Sequence, residues 1–199
     1  MTTTPDTTSP DPLHRFRELF ARAADRAPTD HTAMALASAD AAGHPSVRIV
    51  LLRGVDERGF TFFTNYQGRK ARDLDANPHA ALCIYWPWMD AQVRAEGPIT
   101  RVSGAESDAY FATRARGSQL GAWASAQSEP LASRDVLEAR VAELEQQFAG
   151  QPVPRPPFWG GYRLRPERIE FWHAGASRLH DRFLYLRDGD GWRMQLLNP

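Results

Sequence analysis

Cysteine is almost missing from this sequence. Cys83 is the single one, which excludes an intrachain disulfide and any multi-cysteine zinc or iron–sulfur centre. An excess of charge of either sign is missing too. Lys plus Arg and Asp plus Glu number 24 each, so the formal net charge is zero, which argues against a chain whose main work is gripping nucleic acid or an anionic membrane. No apolar run approaches the ~18 residues of a membrane span. There is no G-x-G-x-x-G loop and no βαβ alternation, which disfavours a Rossmann dinucleotide fold. His14, His31, His44, His79 and His173 show no metal-ligand spacing, so they are expected at surface or turn positions and no metal is expected. Residues 1–11, MTTTPDTTSPD, have neither the basic nor the apolar region of a signal peptide. A disordered tail and a cytoplasmic protein are the expectation there.

What is present is an ordinary globular composition: 199 residues, 42% hydrophobic, with 10 Phe, 6 Trp and 5 Tyr. Asp11-Pro12 reads as a helix cap with proline in the first turn, and Leu13, Phe16, Phe20 and Ala24 repeat at helical spacing up to Pro28. Short apolar or alternating runs follow at 33–39, 46–53 and 59–64, with turns at 43–45 and 56–59. A short polar helix over 69–77 and a hairpin of 80–86 with 92–102 come next. Ser103-Gly-Ala-Glu106 is a capping box, predicting a helix to about residue 115 that Gly117 ends. A second short helix is expected over 119–124, and a third after Ser133, with Leu137, Val141, Leu144 and Phe148 as its core-facing stripe and Gly150 as its stop. Strands return at 162–164, 168–173, 182–187 and 192–197. About seven short strands in meander order with one helical excursion favour a closed antiparallel barrel over a sandwich.

Four groups of polar residues stand out. Arg48 and Arg53 bracket an apolar strand; strict alternation puts them on opposite faces, so they share a ligand only across a bulge or round the strand end, and otherwise they snorkel to water. Arg69-Lys70 open a helix, either as a phosphate site or as a solvated face. Tyr110, Arg114 and Ser118 fall at i, i+4 and i+8, one stripe if the helix lasts to 118; they make a second phosphate site or an exposed polar face. Arg178, His180 and Arg182 alternate onto one face that has no core-packing role, which points to a site.

These segments occur in a familiar order. Arg48-Ile-Val-Leu-Leu, Phe63-Thr64-Asn65, Arg69-Lys70, Tyr110-x3-Arg114-x3-Ser118-Gln-x-Gly-Ala-Trp123, Gln127-Ser128, Pro157-Phe-Trp-Gly-Gly161, Ile169-Glu-Phe-Trp172 and Arg178-Leu-His-Asp-Arg182 together resemble the pyridoxine/pyridoxamine 5'-phosphate oxidases, from about residue 11 to 199. The resemblance implies a mainly β chain with a helical insert, an FMN-binding split β-barrel (antiparallel and closed) over 12–199, working as a homodimer with each flavin between subunits. It implies oxidation of pyridoxamine or pyridoxine 5'-phosphate to pyridoxal 5'-phosphate, with O2 reduced to H2O2. By position, FMN contacts would come from Arg48, Ile49, Val50, Leu51, Phe63, Thr64, Arg69, Lys70, Gln92, Gln127, Ser128, Trp172 and Arg182. Substrate contacts would come from Arg53, Tyr110, Arg114, Ser118, Arg178 and His180, with Arg178 over the pyridine ring and His180 on its 3-oxygen as the catalytic pair.

Three departures qualify the resemblance. Arg53 stands where the family usually has lysine, Phe63 where it usually has tyrosine, and the basic stretch before the first helix is replaced by a Thr-rich one. The competing expectations are a flavin oxidase of another small aromatic, such as a phenazine precursor, and a flavin- or pyridoxal-phosphate-binding carrier without turnover. The Tyr110, Arg114 and Ser118 set argues against the first, and Arg178 with His180 against the second.

Overall fold

A computed structural model of the protein describes residues 11–199. The tail expected over 1–11 therefore lies, except for Asp11, outside the described residues. Helix α1 spans Pro12–Asp25. The Asp11 carboxylate accepts from the Leu13 N–H at 2.9 Å, and Pro12 sits where the helix needs no donor. Leu13, Phe16, Leu19 and Ala23 bury one face of α1 in the main core.

Ten strands follow: β1 (Ala33–Ala39), β2 (Pro45–Leu51), β3 (Gly54–Asp56), β4 (Gly59–Asn65), β5 (His79–Trp86), β6 (Ala91–Arg101), β7 (Trp159–Leu164), β8 (Arg168–His173), β9 (Asp181–Asp188) and β10 (Gly191–Leu196). Helix α2 (Arg69–Ala76) lies between β4 and β5, and α3 (Gly104–Ala112), α4 (Arg116–Ala124) and α5 (Arg134–Gln147) form the insert between β6 and β7. The count exceeds the seven or so expected, and the sequence pattern gave no hint of β3. Every ladder is antiparallel. The strand order is β10-β9-β8-β6-β5-β1-β2, with β7 pairing both β6 and β4, and β4 pairing β3.

Strand β6 makes the sheet curl. Its first half pairs β8 through residues 91–96, and its last residues pair β7 through 99–101. The switch falls at Gly97-Pro98, where proline cannot donate to a ladder and a Cβ on Gly97 would fall on the Arg165 carbonyl oxygen. Among the described residues no ladder joins β2 to β4; the Arg53 N–H donates to the Thr61 carbonyl at 2.8 Å, just beyond the end of β2. Along that seam it is β3, which continues the chain from β2, that pairs β4.

Alternation along the strands fills the interior. Met34, Leu36, Phe60, Phe62, Leu82, Ile84, Trp86, Val93, Ile99, Leu164, Ile169, Phe171 and Phe183 all face one core. The opposite face carries exposed apolar residues, Val47 at 69% and Ile49 at 66% on β2, and Tyr85 at 53% on β5. Such a face is an interaction surface rather than a solvent coat. Cys83 belongs to this outer face. It is half-buried beside Ala35 and Arg94, not sunk in the core as its apolar run suggests, because the period of two sends Leu82 and Ile84 inward and position 83 outward. His173, expected at the surface, is a half-buried strand residue against Phe183.

The insert begins as the capping box predicts: the Ser103 hydroxyl accepts from the Glu106 N–H at 3.1 Å. Helix α3 nevertheless stops at Ala112 and the chain restarts as α4 at Arg116. Helix α5 is a half-buried layer rather than a core helix. Val141, Leu144 and Phe148 pack against a small second cluster of Phe111, Leu120, Val153 and Trp159. No residue of α5 is fully buried, and Ser133 makes no side-chain cap. No helix among the described residues is long and apolar enough to cross a membrane.

Candidate active site

A cavity of about 710 Å³ opens along the seam between β2 and β4. That is within the usual range for a small-molecule site. Ile49, Val50 and Leu51 come from β2, Arg53 from the turn after it, and Phe63, Thr64 and Asn65 from the end of β4. Lys70 enters from α2, Tyr110 from α3, and Arg114, Ser118 and Gln127 from the insert and the loop after it. The Tyr110–Arg114–Ser118 stripe was expected on one continuous helix. The break over 113–115 destroys that stripe, yet the two helices turn all three residues to the same cavity.

The charge pattern of this wall is one-sided. Arg53, Lys70 and Arg114 line it, and no carboxylate does. The Lys70 ammonium donates only to neutral oxygens, Gln127 Oε1 at 2.6 Å and Thr64 Oγ1 at 3.0 Å. Burial pushes its pKa down, and nearby Arg48 adds to the effect. The Arg114 guanidinium lies over the Trp159 ring at 4.7 Å, and its Nη1 is buried without a hydrogen-bond partner. Burial lowers its pKa as well, opposed by Tyr110 and reinforced by Arg53. A buried guanidinium nitrogen with no acceptor is costly unless a ligand supplies one. Opposite it, Phe63 and Tyr110 stack at 4.0 Å with planes 16° apart, and Trp159 lies parallel to Tyr110 at 6.2 Å. Trp159 and Asn65 were not among the expected site residues. Their only sequence signal was position, inside Pro157-Phe-Trp-Gly-Gly161 and Phe63-Thr64-Asn65.

Several expected cofactor residues lie beside the cavity rather than on it. Arg48 points to the opposite face from Ile49, as alternation requires. It donates to the Ser38 and Ser46 hydroxyls at 2.6 Å and pairs with Asp73 at 3.5 Å. Arg69 is exposed, and its backbone N–H donates to the Ser128 hydroxyl at 3.2 Å, tying the start of α2 to the loop that carries Gln127.

The remaining expected residues form a second group elsewhere. Gln92, Trp172 and Arg182 are register partners on β6, β8 and β9. His180 packs against Trp172 with ring centroids 4.6 Å apart and the planes tilted by 45°. The Gly175 N–H donates to His180 Nδ1 at 3.2 Å, so Nδ1 is the acceptor and the neutral ring carries its proton on Nε2. The alternation assumed for 178–182 does not hold, because a 3-10 turn over Ala176–Arg178 precedes β9. Ser177 (φ 55°) and Arg178 (φ 64°) both adopt the left-handed conformation there, a strained arrangement for side-chain-bearing residues. A Cβ on Gly175 would fall on the Leu179 carbonyl oxygen, so only glycine lets this loop close on His180.

None of this second group lines the cavity. Strands β1, β5 and β6 stand between β2 and β8, about 19 Å along the sheet at ~4.8 Å per step. Within one chain, then, the cationic cavity and the Trp172–His180–Arg182 group are separate. Both adjoin the outer face that carries Ile49 and Tyr85.

Comparison with known proteins bears on both halves. A family model described as pyridoxamine 5'-phosphate oxidase matches residues 20–148, and one described as the pyridoxine 5'-phosphate oxidase C-terminal dimerisation region matches residues 159–199. A pyridoxine/pyridoxamine 5'-phosphate oxidase of Myxococcus xanthus is 60% identical over 190 residues, covering 96% of this chain and 92% of that protein. One from Rubrobacter xylanophilus is 59% identical over 194 residues, covering 98% and 89%. Among solved structures, PhzG from Burkholderia lata in complex with tetrahydrophenazine-1-carboxylic acid superposes with a TM-score of 0.93 at 33% identity, covering 100% of this chain and 98% of that one.

Proposed function

The chain belongs to the pyridoxamine 5'-phosphate oxidase family of FMN-dependent oxidases, and from that premise we propose that it oxidises pyridoxamine and pyridoxine 5'-phosphate to pyridoxal 5'-phosphate in the cytoplasm, reducing O2 to H2O2. The observation that carries the proposal is the cavity with three cations, no carboxylate and one orphaned guanidinium nitrogen. Such a wall fits anions, and both FMN and the substrate bring a phosphate. The donor set fits FMN at the Lys70 end. Lys70, Thr64 and Gln127 would hold its phosphate, with the Arg69 N–H and Ser128 beside them. When bound, FMN supplies the chemistry, accepting two electrons and a proton from the substrate's C4' and passing them to O2.

The chain's own residues bind, orient and hold protons. Arg114, with the Tyr110 and Ser118 hydroxyls, takes the substrate phosphate, and Arg53 adds charge at the rim. From the second half-site, His180 donates Nε2–H to the substrate's 3-oxygen, and Arg178 covers the pyridine ring. With the amine substrate, water hydrolyses the resulting imine and releases ammonia; with the alcohol, the aldehyde forms directly.

The separation of the half-sites supports a homodimer in which one subunit's cavity faces the other's Trp172, Arg178, His180 and Arg182. The C-terminal match, described as a dimerisation region, covers those four residues. A phenazine-type substrate is the second possibility, because the PhzG structure aligns end to end. The Tyr110–Arg114–Ser118 set favours the phosphate esters. The test is oxygen uptake by FMN-loaded protein with each phosphorylated vitamer and with a phenazine carboxylic acid. Uptake with the acid alone would overturn the proposal.

A further inference from the structure

Strand β8 carries a carboxylate that no binding or catalytic role accounts for. Glu170 is 2% exposed and lies between two arginines of neighbouring strands, Arg94 on β6 and Arg182 on β9. Its Oε1 accepts from Arg182 Nε at 2.8 Å and lies 2.8 Å from Arg182 Nη2 in an ion pair, and its Oε2 accepts from Arg94 Nη2. Arg182 Nη1 donates to the Asn198 carbonyl at 2.9 Å, so all three of its nitrogens are held. Burial pushes the Glu170 carboxyl up, but its two arginines outweigh that and hold it below the usual range. A carboxylate is rarely buried this deeply unless it is paired, as this one is on both sides.

We propose that Glu170 is a positioning residue for the cofactor: by gripping Nε and Nη2 it fixes the direction of the Arg182 guanidinium toward the flavin of the partner subunit. The inference rests on Arg182 being a flavin contact, as proposed above. The side-on grip and the Asn198 bond together leave one N–H on each of Nη1 and Nη2 to meet a ligand, in a fixed plane. Arg94 touches Glu170 through the other oxygen and balances none of Arg182's bonds, so it is the neighbour to vary as a control.

The experiment reads FMN release from the loaded dimer by the rise in flavin fluorescence after dilution, beside thermal melting. Arg182→Ala and Glu170→Gln are each expected to speed release about tenfold, and the double variant no further, because residues that act through one contact are not additive. Arg94→Met is expected to stay within about twofold of the parent, since the Arg182 grip remains. Additive effects in the double variant would overturn the inference, as would a Glu170→Gln protein that melts lower but holds flavin normally. A tenfold loss in Arg94→Met alone would do so too, because net charge rather than direction would then govern the flavin. If Glu170→Gln does not fold, Glu170→Asp takes its place in the same cycle. Parent-like release from Arg182→Ala would overturn the flavin role of Arg182 itself, and the inference with it.

Discussion

Replacing Arg114 by methionine should impair function while leaving stability nearly unchanged. Arg114 makes no ion pair among the described residues, and its Nη1 has no acceptor. What the folded protein loses is its place over Trp159 at 4.7 Å and Phe111 at 5.5 Å, on the order of 1–2 kcal/mol together. What it gains is relief from a half-buried, uncompensated cation, of similar size. The two nearly cancel, so the melting temperature of the flavin-loaded dimer should move by no more than about 3 °C. The phosphate of the substrate, by contrast, loses a charge-assisted contact of about 1.5–3 kcal/mol, roughly ten- to 150-fold in affinity. KM for pyridoxine 5'-phosphate should rise by that factor, with a smaller change in kcat if the contact is equal in ground and transition states. The flavin absorbance per subunit should not change, because Lys70, Thr64 and Gln127 are intact. Steady-state oxygen uptake beside the absorbance spectrum decides the matter. Loss of flavin from a folded variant, or parent-like kinetics, would refute the assignment of Arg114 to the substrate phosphate.

Three further outcomes are expected. Mixing Lys70→Ala with His180→Ala subunits, each inactive alone, should restore about a quarter of parental oxygen uptake, because half the dimers are mixed and each has one intact composite site; no recovery after verified subunit exchange would place both groups in one subunit's site. Gly175→Ala should lower kcat while flavin stays bound, since the added Cβ forces the loop off the bond to His180 Nδ1; unchanged kcat would remove that loop from the reaction. Glu106, bonded to Arg163 at 2.8 Å and to Ser103, has its pKa lowered from 4.5 to about 2. Its contribution is therefore present above the unfolded-state value and lost as pH falls from about 4.5 towards 2, so Glu106→Gln should flatten the urea midpoint in that window; an unchanged acid limb would show that the bond to Arg163 carries no stability.

What the sequence by itself determined follows from local chemistry. Asp11-Pro12 and Ser103-x-x-Glu106 start helices because the cap atoms lie within three residues of the N–H groups they satisfy. Alternation placed Arg48 opposite Ile49, and the order of short segments carried the family and its flavin. Tertiary structure decided what depends on distant strands. Helix α3 ends early because a capping box fixes a start and says nothing about a stop, and the stripe 110–114–118 converges on the cavity by a turn between two helices. The pairing of β4 with β7 joins residues about a hundred positions apart, such as Phe62 with Tyr162. The distance between the cavity and the Trp172–His180–Arg182 group is a matter of strand order, which three intervening strands impose and no local pattern encodes. Nor does spacing along the chain reveal that Glu170 holds Arg182, since only the pairing of β8 with β9 brings a residue on one strand beside a guanidinium on the next.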